Sequence, residues 1–138
     1  ASDVYKRQVK DRIVITITRC SYANIEHFVP RALSEHLSFA ASTDLYAVYL
    51  GDMMIGMCGF IWKAKSVVFK NVFFAPEHRR QGYYHSVMDL RIKMARERGA
   101  VFVNGNVTKM ALGEWHKRGA EVRKQFKNGI TAMRIYLR

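Results

Sequence analysis

β-Branched and aromatic residues concentrate in short segments of the chain, several of which alternate apolar and polar positions with the period of a strand. Gly51-Asp52 and Asn128-Gly129 lie between neighbouring segments and predict tight hairpin turns. Pro76 ends the fourth segment, because proline cannot donate to a sheet ladder. About seven strands are therefore predicted, in the segments RIVITITR, LYAVYL, MMIGMCGFIW, VVFKNVFFA, AVFVNGNV, AEVRKQF and ITAMRIYL.

Helices are predicted in three places. SYANIEHFVPRALSEHL predicts two short helices, or one helix interrupted at Pro30, and KMALGEWHKR predicts a short helix closed by Gly119. The longest runs from Gly82 to Arg98 and is stopped by Gly99. Its apolar residues recur at helical spacing, at Val87, Leu90, Met94 and Ala95.

The order of these elements predicts an α/β fold. One helix connects the fourth and fifth strands, and such a crossover makes the two strands parallel, whereas hairpins make their strands antiparallel. We therefore expect a mixed, mostly antiparallel sheet with helices on both faces.

Composition narrows the class of protein. The 138 residues suit one domain, and no apolar run approaches the roughly 20 residues that span a membrane. Cys20, Cys58 and the five histidines lack the spacing of metal ligands, so we expect no metal site. With only two cysteines, far apart in the sequence, we also expect no disulfide and a location in the reducing cytoplasm. The 23 basic and 11 acidic residues give a net charge of +12, which indicates nucleic acid or a phosphate-rich cofactor as a partner, or else a solvated basic surface.

The first segment, ASDVYKRQ, is similar to the translated adapter remnants found at the ends of some metagenomic gene models. We therefore expect residues 1–8 to be a non-native extension, 9–138 to form the domain, and the source to be a phage or a bacterium.

The stretch FFAPEHRRQGYY, residues 73–84, joins a predicted strand to the longest helix. The first N–H groups of a helix have no intrahelical acceptor, and the helix dipole adds positive potential there. Gly82 allows close approach of the backbone to an anion, and Arg79 and Arg80 supply charge. This pattern indicates a pyrophosphate site, although a basic loop would have the same composition.

The same stretch resembles the acyl-CoA signature of the Gcn5-related N-acetyltransferase (GNAT) superfamily. That signature has arginine or glutamine, two residues, glycine, one residue, and then glycine or alanine, and Arg79 and Gly82 match it. ALGEWHKRGA resembles a second family helix through Ala111, Trp115 and Gly119. The order of elements fits the superfamily from Arg12 to Leu137.

The resemblance implies a single-domain acyl-CoA N-acyltransferase fold and acetyl-CoA as co-substrate. It implies direct attack of an unidentified primary amine on the thioester, in a monomer or a homodimer. Strands four and five would splay apart, the strand-four backbone would pair with the pantetheine arm, and the turn would hold the pyrophosphate. The implied cofactor-binding residues are Val72, Phe74, Arg79, Arg80, Gln81, Gly82, Tyr83, Tyr84 and Trp115.

Three departures from the family pattern affect the chemistry. Tyr84 stands where glycine or alanine is usual, so its side chain must leave the turn. Trp115 replaces the tyrosine that commonly protonates the leaving thiolate, and strand four offers no carboxylate as a base. His116, next to Trp115, is the catalytic candidate.

Two other functions stay open. The charge of +12, with Arg123, Gln125 and Lys127 on one predicted strand face, fits an enzyme of this fold that modifies a DNA base or an aminoacyl-tRNA. A charged sheet edge that prevents aggregation would have the same pattern. The missing tyrosine and carboxylate fit a CoA-binding module without catalysis.

Overall fold

The computed structural model describes residues 4–10, 13–34 and 42–137 of the chain. The strands are β1 (Val4–Lys10), β2 (Ile13–Arg19), β3 (Asp44–Leu50), β4 (Met53–Trp62), β5 (Ser66–Phe74), β6 (Phe102–Val107), β7 (Glu121–Gln125) and β8 (Thr131–Tyr136). The helices are α1 (Tyr22–Ile25), α2 (Val29–Ser34), α3 (Tyr83–Glu97) and α4 (Leu112–Lys117), with 3-10 turns at Glu26–Phe28, Pro76–His78 and Lys109–Ala111.

The strands form one sheet in the order β1-β2-β3-β4-β5-β6-β8-β7. Among the strands that the structure describes, only the β5–β6 pair is parallel, because α3 carries the chain back across the sheet between them. The other neighbours are antiparallel. The predicted mixed, mostly antiparallel sheet is confirmed.

The N-terminal segment supplies an additional strand. β1 pairs antiparallel with β2, from Val4 opposite Thr18 to Lys10 opposite Ile13, and the side chain of Tyr5 is only 5% exposed. Residues 4–8, which were left out of the predicted domain, therefore belong to the sheet, which has eight strands within the described ranges. The non-native origin of residues 1–8 stays a prediction.

Helices cover both faces of the sheet, as predicted. α3 and α4 pack on one face, where the larger core includes Val87, Met94 and Trp115. α1 and α2 pack on the other, where Phe28 and Ala32 belong to a smaller core with residues of β3, β4 and β5. No helix within the described ranges is both long and apolar enough to span a membrane.

The first helical region forms two short helices, which is one of the two alternatives predicted. α1 ends at Ile25, a 3-10 turn follows, and Pro30 lies in the first turn of α2. Proline is tolerated there because the N–H that it lacks would have no helical acceptor.

Candidate functional site

A cleft opens between the two parallel strands. β5 and β6 pair only from Ser66 opposite Phe102 to Phe69 opposite Gly105. β5 then continues to Phe74 along β4, whereas β6 continues to Val107 along β8. The predicted splay is therefore present.

A β-bulge lies in β5 on the edge of this cleft. Lys70 pairs with Gly59 and Phe73 with Met57, so β5 carries one more residue than β4 over this interval, and the half-buried Val72 lies within it. Bulges break the ladder and are frequent next to active sites, because they re-aim backbone groups.

The guanidinium of Arg91 stabilises the bulge from the α3 side. It donates hydrogen bonds to the carbonyl oxygens of Gly59 at 2.7 Å and Lys70 at 3.2 Å, and its central carbon lies 4.2 Å from the centre of the Phe69 ring. Its side chain is 2% exposed, and burial lowers its pKa. The sequence could have indicated that Arg91 is buried, since Val87, Arg91 and Ala95 recur at four-residue spacing on the buried face of α3.

The turn before α3 exposes backbone N–H groups. Arg80 and Gly82 both have left-handed conformations, with φ of 62° and 82°, and the first α-helical hydrogen bond runs from Ser86 N–H to the Gly82 carbonyl. Among the described residues, no backbone carbonyl accepts a hydrogen bond from the N–H groups of Arg80 to His85. Apart from its two chain neighbours, Gly82 has no described residue with a heavy atom within 4 Å of the position that a Cβ would occupy. Left-handed residues that turn successive N–H groups outward make an anion-binding concavity.

Side chains of the same segment hold this turn in place. The Nε of Arg79 donates to the Phe74 carbonyl at 2.8 Å, the amide of Gln81 donates to the Glu77 carbonyl at 3.1 Å, and the Tyr83 hydroxyl donates to Gln81 Oε1 at 3.2 Å. Tyr83 is buried and Arg80 is exposed. Arg79 thus anchors the turn to β5. Its supply of charge to an anion stays a prediction.

Two aromatic side chains meet at the inner end of the cleft. Trp115 lies against Gly105, the last β6 residue that pairs with β5, and its Nε1 donates a hydrogen bond to the Tyr84 hydroxyl oxygen at 3.2 Å. The Tyr84 ring centre is 6.4 Å from that of Phe74. As expected, the Tyr84 ring points away from the turn, and its hydroxyl reaches Trp115 at the inner end of the cleft. Burial raises the pKa of Tyr84, while the positive charge of Arg91 and the Trp115 hydrogen bond oppose that rise.

A charged network joins α3 and α4 next to this pair. Glu114 Oε2 lies 2.9 Å from His85 Nδ1 and accepts from Arg118 at 2.6 Å, and Asp89 accepts from Arg118 and from Arg7 of β1. Burial raises the pKa of Glu114, but its hydrogen bonds to Arg118 and His85 outweigh this and leave the pKa below its usual value. The network fixes α4, and thus Trp115, against α3.

The remaining candidate residues lie outside the cleft. His116 is exposed on α4, next in sequence to the buried Trp115. Residues 121–129 are all exposed, but a bulge between Val122 and Lys124 interrupts the alternation that a single phosphate track would need, and Arg123 bonds Glu121 at 2.8 Å.

Comparison with known proteins gives similarity in structure alone. No protein-family model matches the sequence, and no curated protein matches it. Among solved structures, it is similar to spermidine N-acetyltransferase from Vibrio cholerae, with a TM-score of 0.72 and 14% identity over 88% of this chain and 93% of that one. An acetyltransferase from Bacillus subtilis in complex with CoA gives 0.69 and 14% over 92% and 100%. The ribosomal-protein-S18-alanine N-acetyltransferase from Escherichia coli gives 0.68 and 12% over 88% and 93%.

Proposed function

Because the chain has the fold of the GNAT N-acetyltransferases, we propose that it transfers an acyl group from acetyl-CoA to a primary amine. One observation carries the proposal: the turn from Arg80 to His85 presents N–H groups that donate to no described backbone carbonyl, at the start of α3 and beside the splay of β5 and β6. A diphosphate is the anion that such a turn fits, because several N–H groups converge on it together with the helix dipole.

The cofactor-binding residues follow from this geometry. The N–H groups of the turn, from Arg80 to Tyr84, bind the diphosphate, and the exposed Arg80 adds charge. The β5 backbone around Val72 and Phe74 lines the cleft for the pantetheine arm, and Trp115 closes its inner end. Since Arg79 already bonds the Phe74 carbonyl, it acts by positioning the strand end and the turn.

Tyr84 is the proton donor that this chain offers to a departing thiolate. Its raised pKa keeps the hydroxyl protonated at neutral pH, and its oxygen accepts from Trp115 Nε1, so its own O–H stays available to donate. In the reaction the amine nitrogen bonds to the carbonyl carbon and the carbon–sulfur bond breaks. The sulfur takes the Tyr84 proton, and the tyrosinate regains one through water from the positively charged nitrogen formed on attack, which leaves a neutral amide and free CoA thiol.

Tyr84 replaces His116 as the first candidate for this role. The Tyr84 hydroxyl lies within the cleft beside Trp115, whereas His116 is exposed on α4. Tyr84→Phe removes only the hydroxyl and should lower kcat by about 100-fold. His116→Asn should leave kcat within about twofold, and the reverse pattern would restore His116 to the role.

Mass spectrometry of amines incubated with acetyl-CoA tests the function. The panel includes spermidine and a peptide with an N-terminal alanine, because structurally similar enzymes are named for these acceptors. Gain of one acetyl group, together with one equivalent of free CoA thiol, supports the proposal. Tight CoA binding without transfer to any amine would instead indicate a binding module.

A further inference from the structure

No described helix covers the β6-β8-β7 part of the sheet face on which α1 and α2 pack. Beyond the cleft, β6 and β8 bury alternate residues against α3 and α4, including Val103, Met133 and Ile135, whereas every residue of the edge strand β7 is exposed. On the opposite side, α1 and α2 pack against residues of β3, β4 and β5, and no β6, β7 or β8 residue belongs to their core. The remaining residues of these three strands therefore form a face that lacks helical cover within the described ranges.

Aromatic and cationic side chains alternate on this face. Phe102 pairs with Tyr136, Asn104 pairs with Arg134, and Lys124 pairs with Ala132, so these residues share one side of the sheet. We call this surface the open sheet face, and its defining residues are Phe102, Asn104, Lys124, Phe126, Arg134 and Tyr136.

Contacts between these side chains confirm their placement. The guanidinium carbon of Arg134 lies 4.0 Å from the centre of the Phe102 ring and 5.9 Å from that of Tyr136, and its Nε donates to Asn104 Oδ1 at 2.9 Å. Lys124 Nζ lies 5.1 Å from the centre of the Phe126 ring. The rings are thus interleaved with positive charges that are held in place.

The exposure of the rings points to a ligand with flat apolar surfaces. Tyr136 is 48% exposed and Phe126 is 40% exposed. Glu121, the acidic residue opposite Arg134, bonds Arg123 at 2.8 Å. Unpaired nucleobases stack on aromatic rings, and the phosphates between them pair with arginine and lysine. In a duplex the base faces are stacked on one another, so only single strands offer both groups to one flat sheet.

We propose that the open sheet face binds single-stranded nucleic acid, with bases stacked on Tyr136 and Phe126 and phosphates held by Arg134 and Lys124. The net charge of +12 attracts the polyanion to the protein, and the aromatic face selects the unpaired form. The inference does not depend on the transferase activity, because none of these residues lies in the cleft.

Fluorescence anisotropy with labelled oligonucleotides of about ten nucleotides tests the inference. The three probes are single-stranded RNA, single-stranded DNA and an RNA duplex of the same length, each titrated over a range of salt concentrations. We expect either single strand, or both, to bind more tightly than the duplex at every salt concentration. A preference between the single strands would identify RNA or DNA as the ligand.

Variants separate stacking from charge. Tyr136→Ala should weaken binding about fivefold to tenfold without changing the salt dependence, and Tyr136→Phe should retain binding because the ring remains. Lys124→Gln should weaken binding and reduce the slope of log affinity against log salt by about one. Tyr22→Ala, at a 46% exposed position on α1, and Lys93→Gln, at an exposed position on α3, are the matched controls and should bind as the wild type does.

Two results would overturn the inference. One is a duplex that binds as tightly as the single strands. The other is Tyr136→Ala and Lys124→Gln binding no more weakly than Tyr22→Ala and Lys93→Gln. Because Lys124 is exposed on an edge strand, its variant keeps the test decisive even if Tyr136→Ala impairs folding.

Discussion

Gly105→Ala probes the packing at the inner end of the cleft. A Cβ at this position would lie 2.5 Å from Cη2 and 2.7 Å from Cζ2 of Trp115, far inside ordinary contact distance. The indole is 3% exposed and is held by the Tyr84 hydroxyl, so it cannot move aside without disturbing α4. Overpacking of this kind costs about 1–3 kcal/mol.

Urea unfolding and thermal melting measure that cost. We expect Gly105→Ala to lower the free energy of unfolding by about 2 kcal/mol, and Tm by about 4–10 °C. Gly113→Ala on α4 is the matched control, because a Cβ there meets nothing within 4 Å. Alanine should stabilise that helical position by about 0.5–1 kcal/mol. If Gly105→Ala were as stable as the wild type, Trp115 would not be packed on β6 as described.

Three further substitutions test other parts of the site. Arg91→Met leaves the Gly59 and Lys70 carbonyls without their donor, so urea unfolding should show a free energy of unfolding lower by about 2–4 kcal/mol. Arg96→Met, at an exposed position of α3, is the control and should change it by less than about 0.5 kcal/mol. Equal losses in the two variants would contradict the role of Arg91. Because the folded pKa of Glu114 is lowered, its stabilisation is present above the ordinary carboxyl pKa of about 4.3 and is lost as pH falls through the lowered value. The wild type should therefore lose more stability than Glu114→Gln between about pH 6 and about pH 3, whereas the exposed Glu97→Gln should behave as the wild type does; equal losses in all three would refute the network. Gly82→Ala places a Cβ on a residue with φ of +82° and should lower the free energy of unfolding by about 1–2 kcal/mol, whereas Gly113→Ala should not destabilise the fold. Calorimetry should also show weaker CoA binding for Gly82→Ala. Unchanged affinity would argue against the turn as the binding site.

The elements that the sequence predicted are those with local signals. Gly51-Asp52 and Asn128-Gly129 mark their hairpins because few residues adopt the turn conformations required there. Gly82, Gly99 and Gly119 have positive φ at the predicted helix boundaries. The turn before α3 was found for the same reason, since its glycine and its position between a strand and a helix are visible in the sequence.

The features that the sequence did not predict depend on contacts with a neighbouring strand or helix rather than on the local sequence. The bulge in β5 exists only relative to the register of β4, and the bulge at Arg123 only relative to β8. The Tyr84–Trp115 hydrogen bond joins residues on separate helices, so no residue spacing in the sequence predicts it. The strand Val4–Lys10 was not predicted, because the similarity of ASDVYKRQ to an adapter remnant excluded residues 1–8 from the predicted fold.

An amide-resolved NMR titration with CoA tests most directly whether the turn binds a diphosphate. The amide signals of Arg80 to His85 should shift saturably with CoA and with inorganic pyrophosphate, and pantetheine, which lacks the diphosphate, should leave them in place. Signals that stay unmoved at saturating CoA, or that move equally with pantetheine, would contradict the assignment of this turn as the site.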